Sequence, residues 1–102
     1  MIMTNHARFE RADRLTYIAM TIGFGEPVIE HKENDFRQCI TNTGVLMIKD
    51  AHEDVLITAF VCDMDKAIAI YKKSGYNRIP TKMYKTIVKN RVHIEKQNNV
   101  FY

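Results

Sequence analysis

The chain reads as an α+β fold, with an N-terminal helix packed on a four-stranded antiparallel meander, followed by two C-terminal helices. Three observations predict it. Apolar residues recur at three- and four-residue spacing as far as Ile22. Four short apolar runs separated by polar turns occupy the middle. Helical spacing then returns after Asp63. The first and third patterns place one apolar stripe on a helix, and the second is the signature of sequential strands.

Each element has a local reason. Thr4 or Asn5 supplies a short oxygen-bearing side chain that caps the unpaired N–H groups of the first helix turn. Phe9, Ala12, Leu15 or Thr16, Ala19 and Ile22 then form its apolar stripe, and Gly23 and Gly25 stop it. Strands are expected at Glu26–His31, Phe36–Asn42, Val45–Asp50 and Val55–Val61. Their connections are too short for parallel crossovers, so neighbours in sequence pair antiparallel. The runs VLMIK and VLITAFV are apolar on both alternating faces, the pattern of a sheet covered on both sides. One face suits the N-terminal helix; the other suits the C-terminal helices or a second copy of the chain. Asp63 caps a helix over 65–74 that Gly75 closes. Pro80 opens a third helix that runs to about His93, with Met83, Ile87, Val88 and Tyr84 turned inward.

All 102 residues fit one domain, with helix and sheet over 4–61 and basic helices over 63–96. With 46% hydrophobic and 26% charged residues, the composition is that of a folded globular domain and not of a disordered one. No apolar run reaches the roughly 18 residues of a membrane span. The opening MIMTNHARFERADR is charged too early for a signal peptide, so a cytoplasmic setting with Cys39 and Cys62 reduced is expected. The formal charge of +3 is unevenly distributed. From Tyr76 to Lys96, six bases face one acid, whereas the first 75 residues hold nine bases and eleven acids. A basic tail on a near-neutral body points to a polyanion or to an acidic partner face, and equally describes a solvated helix face.

Most catalytic signatures are missing. His6, His31, His52 and His93 form no ligand pair with each other or with the two isolated cysteines, so no metal and no cofactor are expected. GFGEP lacks the third glycine and the strand–helix context of a dinucleotide fingerprint, and no Walker-type loop or GxSxG elbow occurs. What remains is basic and polar. His6, Arg8 and Arg11 form a broad patch on the first helix. Arg37 and Thr41 share one strand face, and Thr58 interrupts an apolar strand. Lys82, Lys85 and Lys89 share one face of the third helix. An imidazole that moves a proton, guanidinium groups that hold a phosphorane and hydroxyls that orient a phosphate oxygen are the parts of metal-free RNA cleavage. The same residue types serve structure equally well, since threonine favours strands and arginines pair with neighbouring acids.

The opening NHARFERADRL resembles the "H-A-x-x-R" helix of small phage and mobile-element proteins in the barnase–EndoU–colicin–RelE nuclease superfamily. GEPVIEH resembles their short first strand, and FRQCITNTGVLMIKD and EDVLITAF resemble the later ones. The resemblance covers residues 4 to 61 and implies a metal-independent ribonuclease. His6 would then be the general acid/base, with Arg11 and Thr58 beside it. Arg8 or Arg11, together with Arg37, would hold phosphate. Outside what the resemblance implies, Thr41 on the face of Arg37 and the lysines Lys82, Lys85 and Lys89 of the third helix are further candidates for phosphate. Phe60 stands where the family strand carries a tyrosine, and no second histidine follows, so loss of cleavage is compatible with the pattern.

The function expected is therefore binding of RNA or nucleotide phosphates, extended to cleavage if His6 and the arginines meet, as in a toxin or phage nuclease. The alternative is a non-enzymatic counter-defence protein that sequesters a nucleotide signal or inhibits a host nuclease. A homodimer, a higher oligomer and a host protein partner fit either reading. No membrane is involved in any of them.

Overall fold

The computed structural model describes residues 2–3 and 12–95, with side chains for 15–93. The elements are β1 (Ile2–Met3), α1 (Ala12–Tyr17), β2 (Pro27–Glu33), β3 (Phe36–Thr41), β4 (Val45–Asp50), β5 (Val55–Val61), α2 (Met64–Lys73) and α3 (Thr81–Glu95). Helix, antiparallel meander and two further helices are the expected α+β order. The sheet has one strand more than the sequence pattern reveals. Its order is β1-β5-β4-β3-β2, and β1 joins β5 in parallel through Ile2 opposite Val55 and Met3 opposite Leu56. Two residues are too few to leave a periodic signal.

The meander places the layers. Along β4, Val45 and Met47 enter one apolar cluster while Leu46 enters the other, as strand alternation requires. The first cluster joins Leu15 and Ile18 to Cys39, Val45, Met47, Leu56, Ala59 and Val61. The second packs Ile29, Ile40 and Leu46 against Ala67, Ile70 and Tyr71 of α2 and Met83 and Ile87 of α3. The sheet is thus sandwiched, with α1 on one face and α2 and α3 on the other. Both faces of the apolar strands are covered within one chain.

Helix α1 continues as a π-helical turn over Ile18–Ile22, closed by Gly23 N–H donating to Ile18 O at 2.6 Å. Its buried stripe runs through Leu15 and Ile18 to the partly buried Ile22, whereas Ala19 is exposed. The expected caps Thr4 and Asn5 lie outside the described residues. Helix α2 begins as expected, with Asp63 Oδ1 accepting from Lys66 N–H at 2.8 Å. On α3, Met83 and Ile87 are buried, but Tyr84 and Val88 are exposed, so the inward stripe is narrower than expected.

Asn90 sets how α3 sits on the sheet. Its Nδ2 donates to Thr43 O at 2.8 Å, bridging α3 to the β3–β4 turn. Gly44 lies beneath it with φ +82, and a Cβ there would meet Asn90 Nδ2 at 2.6 Å. Gly75 has φ +95 but open space around it. Alanine at Gly75 therefore carries only the left-handed backbone penalty, about 1–2 kcal/mol. Alanine at Gly44 adds displacement of Asn90, and we expect Gly44→Ala to lose about 1 kcal/mol more than Gly75→Ala, roughly one hydrogen bond. Chemical denaturation of the two variants measures the difference, and equal losses would contradict the Asn90 anchor.

Candidate functional site

Of the residues expected to form one catalytic cleft, the sheet does not bring Arg37 and Thr58 together. His6, Arg8 and Arg11 lie outside the described residues. Arg37 stands opposite Lys49 in register, on the face that carries Cys39 and Met47. Thr58 stands opposite Ile48, which packs against the α2/α3 cluster. Arg37 and Thr58 therefore face opposite sides of the sheet. Plain alternation is responsible, since Arg37 pairs with Lys49 and Thr58 with the next residue of β4, Ile48; the register shift lies beyond Thr58 and turns Leu56, opposite Lys49, to the α1 side.

Arg37 is committed to the fold. Its Nε donates to Asp50 O at 2.7 Å and its Nη2 to Glu53 O at 2.8 Å, while Nη1 lies 3.6 Å from Glu30 Oε1. These contacts brace the β4–β5 turn. The same turn is organised by Asp50, whose Oδ1 accepts from His52 N–H at 2.9 Å and Glu53 N–H at 3.1 Å. The His52 N–H, above all, holds that carboxyl below its ordinary range.

Thr41 is a scaffold residue as well. It is 0% exposed, and its hydroxyl accepts from Val45 N–H at 3.2 Å while sharing a 2.9 Å hydrogen bond with Thr43 Oγ1. No route leads from solvent to this group, so a direct phosphate contact is not open to it. Cys39 and Cys62 are buried too, and burial pushes their thiols up to about 11 and about 12. Neither is a thiolate nucleophile at neutral pH.

The lysines differ. Lys82, Lys85 and Lys89 are exposed on α3, and among the described residues no carboxylate pairs with any of them. Elsewhere Lys73 reaches Glu33 at 3.1 Å and Lys49 reaches Asp54 at 3.5 Å. The contrast follows from sequence, since Thr81–His93 contains no acid at all. Spaced three and four residues apart, the lysines spread over about 10 Å of helix.

Two adjoining cavities run along this flank. One of about 530 Å³ lies between the π turn, the β3–β4 turn and α3, with Thr21, Thr43, Lys89, Asn90 and His93 in its walls. That volume falls within the range of about 300–1,000 Å³ typical of small-molecule sites. The other, of about 230 Å³, is apolar and aromatic, formed by Val28, Tyr71, Tyr76, Pro80 and Met83 with Lys82 at its side. Asn42 and Thr86 line both, so the two form one groove. Tyr71 and Tyr76 meet edge to face, with centroids 5.3 Å apart. Tyr17 stacks against His93 at 6.4 Å, tying α1 to the far end of α3.

The lysines are legible from helical spacing. Asn42, Thr43, Tyr76, Asn90 and His93 are not, because the groove is closed by contacts between segments far apart in the chain. The described residues contain no cluster of His, Cys, Asp or Glu able to hold a metal. They also contain no helix long and apolar enough to cross a membrane. Comparison with protein-family models, curated proteins and solved structures yields no match.

The cysteines give a pH test. A thiol raised by burial keeps its proton more tightly in the folded state than in the unfolded one. Its contribution to stability is complete below the ordinary value of 9.0 and is lost as pH rises toward about 11 for Cys39 and about 12 for Cys62. We expect unfolding free energy to fall on the alkaline side, and to fall less steeply in Cys39→Ala/Cys62→Ala. Denaturation from pH 8 to pH 10.5 (about 1.5 units past the ordinary thiol value) checks it. A native thiol that reacts with Ellman's reagent at pH 8 as fast as an unfolded one would contradict the burial argument.

Proposed function

We propose that this protein binds the phosphates of RNA or of a nucleotide along the flank of α3. The observation that carries the reading is the trio Lys82, Lys85 and Lys89, exposed and unpaired among the described residues on one helix face, with Lys82 and Lys89 lining a groove. An ammonium with no carboxylate partner gives up no ion pair when a phosphate arrives, so the whole attraction is available for binding. Three such groups over about 10 Å match a run of phosphates better than a single one. The setting we propose is the cytoplasm, where Cys39 and Cys62 stay reduced.

Binding, and not cleavage, is what the geometry favours. A metal-free ribonuclease needs its proton-transfer and charge-stabilising groups within reach of one phosphate. Arg37 is engaged by Asp50, Glu53 and Glu30, and Thr58 stands on the other face of the sheet.

Three lysine–phosphate contacts on a single strand predict a slope of about −2 when log affinity is plotted against log salt. We expect that slope for a short single-stranded RNA followed by fluorescence anisotropy, and a slope near zero for Lys82→Gln/Lys85→Gln/Lys89→Gln. An unaltered slope in the triple variant would overturn the reading.

A further inference from the structure

We propose that the cavity at Tyr76 receives a nucleobase, so that the groove recognises a base-bearing single strand and not phosphate alone. This rests on the phosphate reading above and adds a second, chemically different subsite to it.

The two ends of the groove differ in kind. The end at Lys89 and His93 is the wider and the less apolar of the two, whereas the end at Tyr76 is walled by Val28, Tyr71, Pro80 and Met83. A sugar-phosphate backbone gains nothing from an apolar, aromatic wall. A flat, weakly polar ring does. Tyr71 is buried and meets Tyr76 edge to face at an interplanar angle of 79°. Tyr76 itself is 51% exposed, so the contact holds the phenol ring in place while a large part of it stays open to a ligand. A pre-positioned ring loses little freedom on stacking, which is the arrangement that stacking platforms for single strands use.

Lys82 joins the subsites. It lines the aromatic cavity and belongs to the same helix face as Lys85 and Lys89. A nucleotide with its base on Tyr76 would bring its own phosphate to Lys82, and the next phosphates along the strand toward Lys85 and Lys89. The occupant is thus a single strand. In a duplex the bases are paired and stacked on each other, and none is free to enter the cavity.

The test compares a short single-stranded RNA with an abasic oligomer of equal length and charge, by anisotropy at one salt concentration. We expect the base-bearing strand to bind about tenfold more tightly, as one good stacking contact provides. Tyr76→Ala should bring that ratio close to one, and Tyr76→Phe should keep it. The chain contains no tryptophan, so quenching of tyrosine emission by the base-bearing strand alone gives a second readout without any substitution. Equal affinity of native protein for both oligomers overturns the base subsite and leaves the phosphate reading standing. A ratio that survives Tyr76→Ala overturns the assignment to this cavity. Binding of neither oligomer overturns both.

Discussion

Thr43 holds three parts of the molecule at once. Its hydroxyl lies 2.8 Å from Gly23 O and 3.1 Å from Phe24 O, its carbonyl accepts from Asn90 Nδ2 at 2.8 Å, and its Oγ1 shares a hydrogen bond with Thr41. The direction of these bonds follows from proton supply. Thr41 Oγ1 accepts from Val45 N–H, so its own hydrogen goes to Thr43 Oγ1, whose hydrogen in turn serves the Gly23 and Phe24 carbonyls. Around it, Asn42 N–H donates to Glu26 O at 2.9 Å and Glu26 N–H returns to Asn42 Oδ1 at 2.9 Å. Cys62 N–H donates to Gly44 O at 2.9 Å, bringing in the exit from β5. The four residues Thr41–Gly44 therefore clamp the exit from α1, the start of β2 and the face of α3 to one hairpin turn. The groove on α3 exists because this clamp fixes both of its walls. Partly buried, mutually satisfied polar networks of this kind are costly to break at their buried members.

The sheet separates scaffold from surface. On the α1 side, the polar residues of β3 are turned inward to structure: Arg37 braces the β4–β5 turn, and Thr41 feeds the clamp. On the other side, α3 carries Lys82, Lys85 and Lys89, unpaired among the described residues, with Lys82 and Lys89 lining a groove. The uneven charge of the chain thus has a spatial meaning. The near-neutral body supplies carboxylates that pair with their own bases, as Glu30 does with Arg37 and Glu33 with Lys73. Thr81–His93 holds no acid, so the field of Lys82, Lys85 and Lys89, unpaired among the described residues, is left for a ligand.

Much of this fold is legible in the sequence. The order of elements, the Asp63 cap, the stop at Gly23 and the covering of both sheet faces all rest on local patterns, and local patterns survive folding. The lysine face is legible for the same reason, since three- and four-residue spacing alone decides it. The remainder depends on contacts between distant segments. β1 is too short to read. The side of the sheet that Thr58 shares depends on its pairing with Ile48, and that register is set between two strands and not within either one. Arg37 looks like a ligand group until Asp50 and Glu53 arrive from 13 and 16 residues away. Tyr76, in the turn after Gly75, sits in no periodic element, and only the approach of Val28 and Pro80 makes it the wall of a cavity.

Backbone amide chemical shifts titrated with a short single-stranded RNA distinguish a ligand on the α3 flank from one on the Arg37 face. Binding along α3 concentrates the shifts at Asn42–Gly44, Tyr76 and the α3 residues from Lys82 to His93, and leaves Arg37, Lys49 and Leu56 unmoved. Shifts centred on β3 at Arg37, or an undisturbed α3, would contradict it.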